Sequence, residues 1–185
     1  MKVCLVALGI ALLCTGSAVV YDAERCPPEK LLGGWYLLAF ASNCSWMMSH
    51  LEDMEMVLAT FSITEEGTFR ISTNVPTPFG CQNVEIDFER REDGALVGSS
   101  AWGEQTVDLA RSDCKSYMIS VIRNELDGSS TMAVTLYGRT PYMTPETEQM
   151  FMKLAKELGM SDEQIQKMAP ERDETRSEEP LRHRH

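Results

Sequence analysis

The chain reads as an all-β domain of about eight antiparallel strands, closed into a barrel or packed as a sandwich, and three observations carry that reading. An apolar leader opens the sequence. Short runs that alternate apolar and polar residues follow it, separated by turn signals. A Gly33-Gly34-Trp35-Tyr36 run begins the first strand and Arg139 ends the last, the pair a cup-shaped barrel needs to close its floor.

The leader comes first. Met1 and Lys2 precede an apolar run from Val3 to Leu13, then Gly16-Ser17-Ala18, before the chain turns polar at Tyr21-Asp22. A positive start, an apolar core of ~7–15 residues and small residues before the cut describe a secretory signal, so cleavage is expected after Ala18. The run falls short of the ~20 apolar residues a spanning helix needs. No later segment is longer, so no stable membrane insertion is expected, and the protein is expected to be secreted into the extracellular space. Residues 19–170 then form one domain, and the charged stretch 171–185, without apolar anchors, reads as a disordered tail.

The strands follow in order. Gly34–Ala41 is the first and Met56–Ile63 the second. After the turn Glu65-Glu66-Gly67, Phe69, Ile71, Thr73 and Val75 alternate with Arg70, Ser72 and Asn74. Val84, Ile86 and Phe88 alternate with Glu85, Asp87 and Glu89 in the fourth strand, which ends at Glu92-Asp93-Gly94. A short strand near Ala95–Ser100, then Gln105–Leu109, Tyr117–Ile122 and Thr131–Tyr137, complete the set, the last two joined by Leu126-Asp127-Gly128-Ser129-Ser130. A period of two gives each strand a dry and a wet face. Met118–Ile122 and Met132–Leu136 are apolar on both faces, so something covers their outside. The helix after Pro145 supplies it: Met150, Phe151, Leu154 and Leu158 form one stripe, Thr144 caps it and Gly159 ends it. A second, shorter helix is expected from Ser161, with Gln164 in capping-box spacing, to Pro170.

Charge excludes some functions. The net charge is -11, and loss of Lys2 with the leader makes it -12. Such an acidic surface repels phosphate backbones and anionic membranes, so no nucleic acid is expected as a partner. Cys4 and Cys14 leave with the leader; Cys26, Cys44, Cys81 and Cys114 remain, at spacings of 18, 37 and 33. These spacings suit two disulfides in an oxidising compartment, with three connectivities open, and not a zinc site. His50 stands alone, and His183 and His185 read as tail charge, so neither metal nor cofactor is expected. No paired carboxylates, Ser/His/Asp set or phosphate-binding glycine loop stands in a persuasive setting.

Three stretches together resemble the lipocalin family: Leu31–Asn43 around Gly33 and Trp35, Ser112-Asp113-Cys114-Lys115-Ser116-Tyr117 around Asp113, and Leu136-Tyr137-Gly138-Arg139-Thr140. Cys114 stands where the second motif usually has tyrosine. The resemblance covers roughly residues 28 to 170 and is greatest to the branch holding prostaglandin D synthase and the avian extracellular fatty-acid-binding protein. It implies an eight-stranded up-and-down barrel, a calyx, with one C-terminal helix packed outside. Trp35 would fill the floor under the Arg139 guanidinium, a contact worth ~1–2 kcal/mol when desolvated.

In the family's register the inward set is Leu37 and Ala39, then Val57 and Ala59, then Phe69, Ile71 and Thr73. It continues with Ile86 and Phe88, Val107 and Leu109, and Thr135 and Tyr137. Arg123 is a rim cation for a carboxylate or, alternatively, a solvated strand end. This lining implies a carrier of a small hydrophobic ligand such as a fatty acid, retinoid or steroid, and a cell-surface receptor is a second class of partner. Prostaglandin-type isomerase activity is disfavoured because Val57 stands at the nucleophilic cysteine's position, so no enzyme is expected. Siderophore sequestration is disfavoured because Glu104, Gln105, Thr106 and Thr135 stand where the avian protein has cations. An interaction module with a filled barrel is the remaining alternative.

The relatives' partner for a cysteine at Cys81 would fall near Thr175. Given the implied barrel, Cys26–Cys114 is expected at the closed end and Cys44–Cys81 at the open end. Asn43-Cys44-Ser45 is a glycosylation sequon in a loop, which makes Asn43 the expected glycosylation site. Met47, Met48, Met54 and Met56 either line the mouth or pack beneath the loop.

Overall fold

The computed structural model describes residues 26–51, 56–77, 80–100 and 103–168; the expected leader at 1–18 and tail at 171–185 lie outside them. Eight strands run β1 Gly33–Ser42, β2 Leu58–Ile63, β3 Phe69–Thr77, β4 Gly80–Arg90, β5 Leu96–Ser100, β6 Gly103–Ser112, β7 Tyr117–Leu126 and β8 Ser129–Gly138. Each pairs antiparallel with the next, and β1 pairs with both β2 and β8, which closes the barrel. The β7–β8 connection is tighter than the five residues the sequence suggests. Asp127 and Gly128 both adopt positive φ, 50° and 77°, the conformation of a two-residue hairpin turn, so β8 begins at Ser129 rather than Thr131.

The helix stripe lands as its periodicity requires. Helix α2, Pro145–Glu157, is capped by Thr144, whose hydroxyl accepts from the Thr147 amide at 3.2 Å. Phe151, Leu154 and Ala155 are buried in one cluster with Ile119, Val121, Val134 and Leu136, the outward residues of the two doubly apolar strands. Burying Phe151 and Leu154 contributes about 1.5–3 kcal/mol each. Among the described residues no helix is long and apolar enough to cross a membrane.

Three features depart from the sequence reading. Helix α1, Ser45–Leu51, occupies the first loop. The second helix does not form: Ser161 and Gln164 make their capping box, but only a 3₁₀ turn over Asp162–Gln164 follows, and then a ninth strand, β9, Ile165–Lys167. The reason lies in β1, whose Gly33–Tyr36 half pairs with β2 while the same edge further along, Ala39–Ala41, is free to take β9. Three residue pairs between β1 and β9 satisfy backbone groups there that a helical turn would leave bare.

The third departure is a bulge in β1. Leu37 lies opposite Tyr137, but the register slips so that Ala39 lies opposite Leu136 and Phe40 opposite Thr135. One extra residue moves every later side chain to the other face. Ala39 and Ala41 therefore turn outward into the cluster under α2, and Phe40 and Ser42 turn inward. The room that Ala39 leaves goes to the helix, not to the interior.

Candidate ligand-binding site

The closed end is built around Trp35. Its indole is fully buried, and Nε1 donates to the Leu31 carbonyl at 2.7 Å. Arg139 lies over the ring at 3.7 Å and donates to the Gly34 and Leu32 carbonyls at 2.8 and 2.7 Å. Desolvation lowers the Arg139 pKa without removing its charge. Gly33, at φ 97°, passes beneath: a Cβ there would stand 3.2 Å from the guanidinium. The floor motif is thus a set of contacts each residue type is needed for.

Beside the floor, Cys26 is bonded to Cys114, as expected, with Cα atoms 5.5 Å apart. Asp113 organises the adjoining turn, Oδ1 accepting from the amides of Lys115, Ser116 and Tyr117 at 2.9, 2.8 and 3.1 Å, and Oδ2 from the Ser116 hydroxyl. Partial burial disfavours its charge, but these donors outweigh that and hold the carboxyl at about 2, below its ordinary 3.8. The folded state therefore favours the ionised form. The resulting stability is present above pH ~4 and is lost as pH falls from there through ~2. We expect Asp113→Asn to cost about 1 kcal/mol at neutral pH, discounted for exposure, with the difference from wild type vanishing near pH 2. Urea midpoints measured at both pH values check this.

Above the floor the interior changes character. Ala59, Phe61, Phe69, Phe88, Leu96 and Met118 join Trp35 in a buried cluster, with Phe61 meeting Phe69 and Tyr137 edge-on at 5.5 and 5.7 Å. Ladder partners share a face, so alternation from this cluster identifies the inward positions of each strand. Ile71, Thr73, Val84 and Ile86 lie on the inner face of β3 and β4, Val107 and Leu109 on that of β6, and Ile122 on that of β7. All of these are half-buried, not buried. Inward side chains that keep contact with solvent in a closed barrel line a cup, filled at the bottom and open above.

The expected lining is placed accordingly. Leu37, Ala59, Phe69, Ile71, Thr73, Ile86, Phe88, Val107, Leu109, Thr135 and Tyr137 fall on the inner face. Val57, 8% exposed, precedes β2 with its carbonyl accepting from the Leu37 amide at 2.9 Å. Ala39, expected in the lining, is instead outside, under α2. Arg123 is also corrected. It lies opposite Thr106, on the face away from Ile122 and Val107, and is ion-paired with Asp108 from the neighbouring strand. A carboxylate one strand away and two residues along holds it on the outer wall.

Cys44 carries a free thiol, so the expected Cys44–Cys81 bridge does not form. Cys44 is committed to the start of α1, its amide bound to Ser42 Oγ at 3.0 Å and its carbonyl to the Met48 amide at 3.0 Å. The side chain of Cys81 is outside the described residues. Asn43 is exposed, and its Oδ1 accepts from the Met132 amide at 2.7 Å. Met47 and Met48 pack with Phe40, Ala133 and Ile122 at the mouth, Met56 packs on the outer cluster, and Met54 is outside the described residues.

Sequence reasoning passed over a polar band on the β6–β8 wall. Gln105 and Asn124 are opposite one another on the inner face, with Thr131 beyond. Ser120 and Thr135, both buried, share a hydrogen bond of 2.9 Å. Burial pushes the Tyr137 hydroxyl up to about 12, so it stays neutral at physiological pH. Among the described strand residues at inward positions, Arg90 is the one charged side chain, and it ends β4 exposed at the closed side. The cup is therefore apolar with a neutral hydrogen-bonding wall.

Comparison with known proteins agrees with this architecture. The model of the lipocalin / cytosolic fatty-acid binding protein family matches residues 32–171. The extracellular fatty acid-binding protein of Coturnix japonica is 31% identical over 176 residues, 94% of this chain and 97% of the relative. That of Gallus gallus is 30% identical over 167 residues, 89% of this chain and 92% of the relative. A solved structure of the siderocalin Ex-FABP, described as functioning through dual ligand specificities, matches with a TM-score of 0.68 at 30% identity, over 78% of this chain and 97% of that one. With the match running from just before the Trp35 floor to beyond β9, the chain belongs to the lipocalin family.

Proposed function

We propose that the protein is a secreted carrier that holds one small hydrophobic molecule, such as a fatty acid, retinoid or steroid, in the upper half of its barrel. The observation that carries this is the contrast between the buried Trp35 floor and the half-buried, uncharged wall above it. Removing a ligand's apolar surface from water there is worth ~25 cal/mol per Å² before the costs of association. The Cys26–Cys114 bond and the extracellular relatives support export.

Capture of an anionic metal chelate, the chemistry the word siderocalin describes in the relative, has less support. It calls for cations facing the interior, and Gln105 and Thr135 are neutral there while Arg123 is spent on Asp108 outside. Catalysis has less support again: Val57 brings no nucleophile to the wall.

Native mass spectrometry of the secreted protein, followed by denaturing extraction, tests the reading. The expected result is an apolar molecule at near-stoichiometric level. A protein that emerges empty and takes up neither fatty acids, retinoids nor steroids would show the cup to be closed to such cargo.

A further inference from the structure

We propose that the Gln105 carboxamide is a two-point polar subsite in the upper wall of the cup, taking a neutral group that carries a donor and an acceptor side by side, a carboxamide or a protonated carboxylic acid; this rests on the carrier reading above.

Gln105 lies on the inner face of β6, opposite Gly98 of β5 on one side and Asn124 of β7 on the other. It is 9% exposed, yet its carboxamide makes no hydrogen bond among the described residues. Neither of its amide atoms is sealed. Among the described residues, the one side-chain nitrogen or oxygen that lacks both a partner and contact with solvent is Asn124 Oδ1. A nine-tenths buried amide with both ends unspent is uncommon, because a donor and an acceptor left without partners cost stability. Gly98 has no side chain to cover it, and Asn124 does not bond to it. Oε1 and Nε2 thus both stay open to whatever fills the cup.

The complement of a primary carboxamide is a group with the same pair reversed. Another carboxamide meets Nε2 with its carbonyl and Oε1 with its N–H, and a protonated carboxyl does the same with its carbonyl and O–H. A carboxylate meets only the donor, and its charge finds no compensation. The residues facing Gln105 are Gly98 on β5, Asn124 on β7, and Gly103 and Val107 on its own strand, none of them titratable. The nearest charges along these strands, Glu104 on β6 and Arg123 and Glu125 on β7, alternate to the outer face, where Arg123 is paired with Asp108. Burying an unpaired charge costs far more than taking up a proton, so a fatty acid is held as the neutral acid. A purely apolar chain displaces water from the amide without replacing its hydrogen bonds, and loses affinity for it.

The test uses the mature protein, a bound uncharged fluorescent probe, and three competitors with the same ten-carbon acyl chain: decanamide, decanoic acid and methyl decanoate. An ordinary carboxyl titrates near ~4.3, so the neutral fraction of decanoic acid falls about tenfold with each pH unit well above that value. The wild type is expected to bind decanoic acid about a hundredfold more tightly at pH 6 than at pH 8, and decanamide equally at both. Gln105→Leu, with melting curves to confirm that it folds, is expected to lower the affinity for decanamide about tenfold relative to that for the methyl ester, which only accepts. Decanoic acid binding equally at the two pH values would mean capture as the anion and overturn the subsite, and this needs only the wild type. An unaltered amide-to-ester ratio in Gln105→Leu would overturn it too. If none of the three displaces the probe, the carrier reading itself fails, and the subsite with it.

Discussion

Replacing Trp35 with alanine is expected to destabilise the protein by about 3–5 kcal/mol, the range for emptying a fully buried aromatic site. Three losses combine. The cluster of Phe61, Phe69 and Phe88 loses its largest member, the Leu31 carbonyl loses its indole donor, and the Arg139 guanidinium loses the ring it covers. Arg139 keeps its bonds to the Gly34 and Leu32 carbonyls, so the barrel end is loosened rather than opened. Native stabilities are only ~5–15 kcal/mol, so this single change consumes a large share. With a slope near 2 kcal/mol per molar urea, the unfolding midpoint followed by far-UV circular dichroism should fall by about 2 M. A fall below about 0.5 M would mean that the floor is held by other contacts.

Cys26→Ser with Cys114→Ser is expected to cost about 2–5 kcal/mol. The bridge joins residues 88 apart, and a loop of that length loses much denatured-state entropy when closed. The effect is local as well. Cys114 adopts φ 61° in a turn fixed by its amide to Ser112 Oγ at 2.8 Å, and the bond ties to it the segment that delivers buried Leu31 to the floor. Amide exchange in the double variant should therefore rise most over residues 26–32, with little change in α2. Uniformly faster exchange, or an unaltered melting temperature, would show that the N-terminal segment is anchored by packing alone.

The parts of the molecule legible from sequence are those where one residue type has one use. Gly33, Trp35 and Arg139 meet in contacts that no other side chains make, and Phe151 and Leu154 announce the covered face of α2 by their spacing. Strand order followed from turn chemistry. The bulge at Leu37–Ala39 left no such mark: Leu38, Ala39 and Phe40 are all apolar, so a slip of one residue changes no visible pattern while exchanging the faces of everything after it. That misplaced Ala39 and hid Phe40. Arg123 was misread because strand position does not reveal a partner on the next strand. Phe61 was overlooked within a strand whose other inward residues were chosen by register, and Gln105 and Asn124 because polar strand residues ordinarily face water. A three-residue strand such as β9 is too short to show any period.

That short strand has a consequence for how the protein keeps to itself. Where β2 departs, the β1 backbone at Ala39–Ala41 would otherwise present bare amides and carbonyls, the kind of border along which a second chain adds on. Ile165–Lys167 fill that border from within, Ile165 sinking into the cluster below α2 and Lys167 clasping Glu148 on the helix. The barrel is thereby protected, along that stretch of β1, against growing into chains of its own kind.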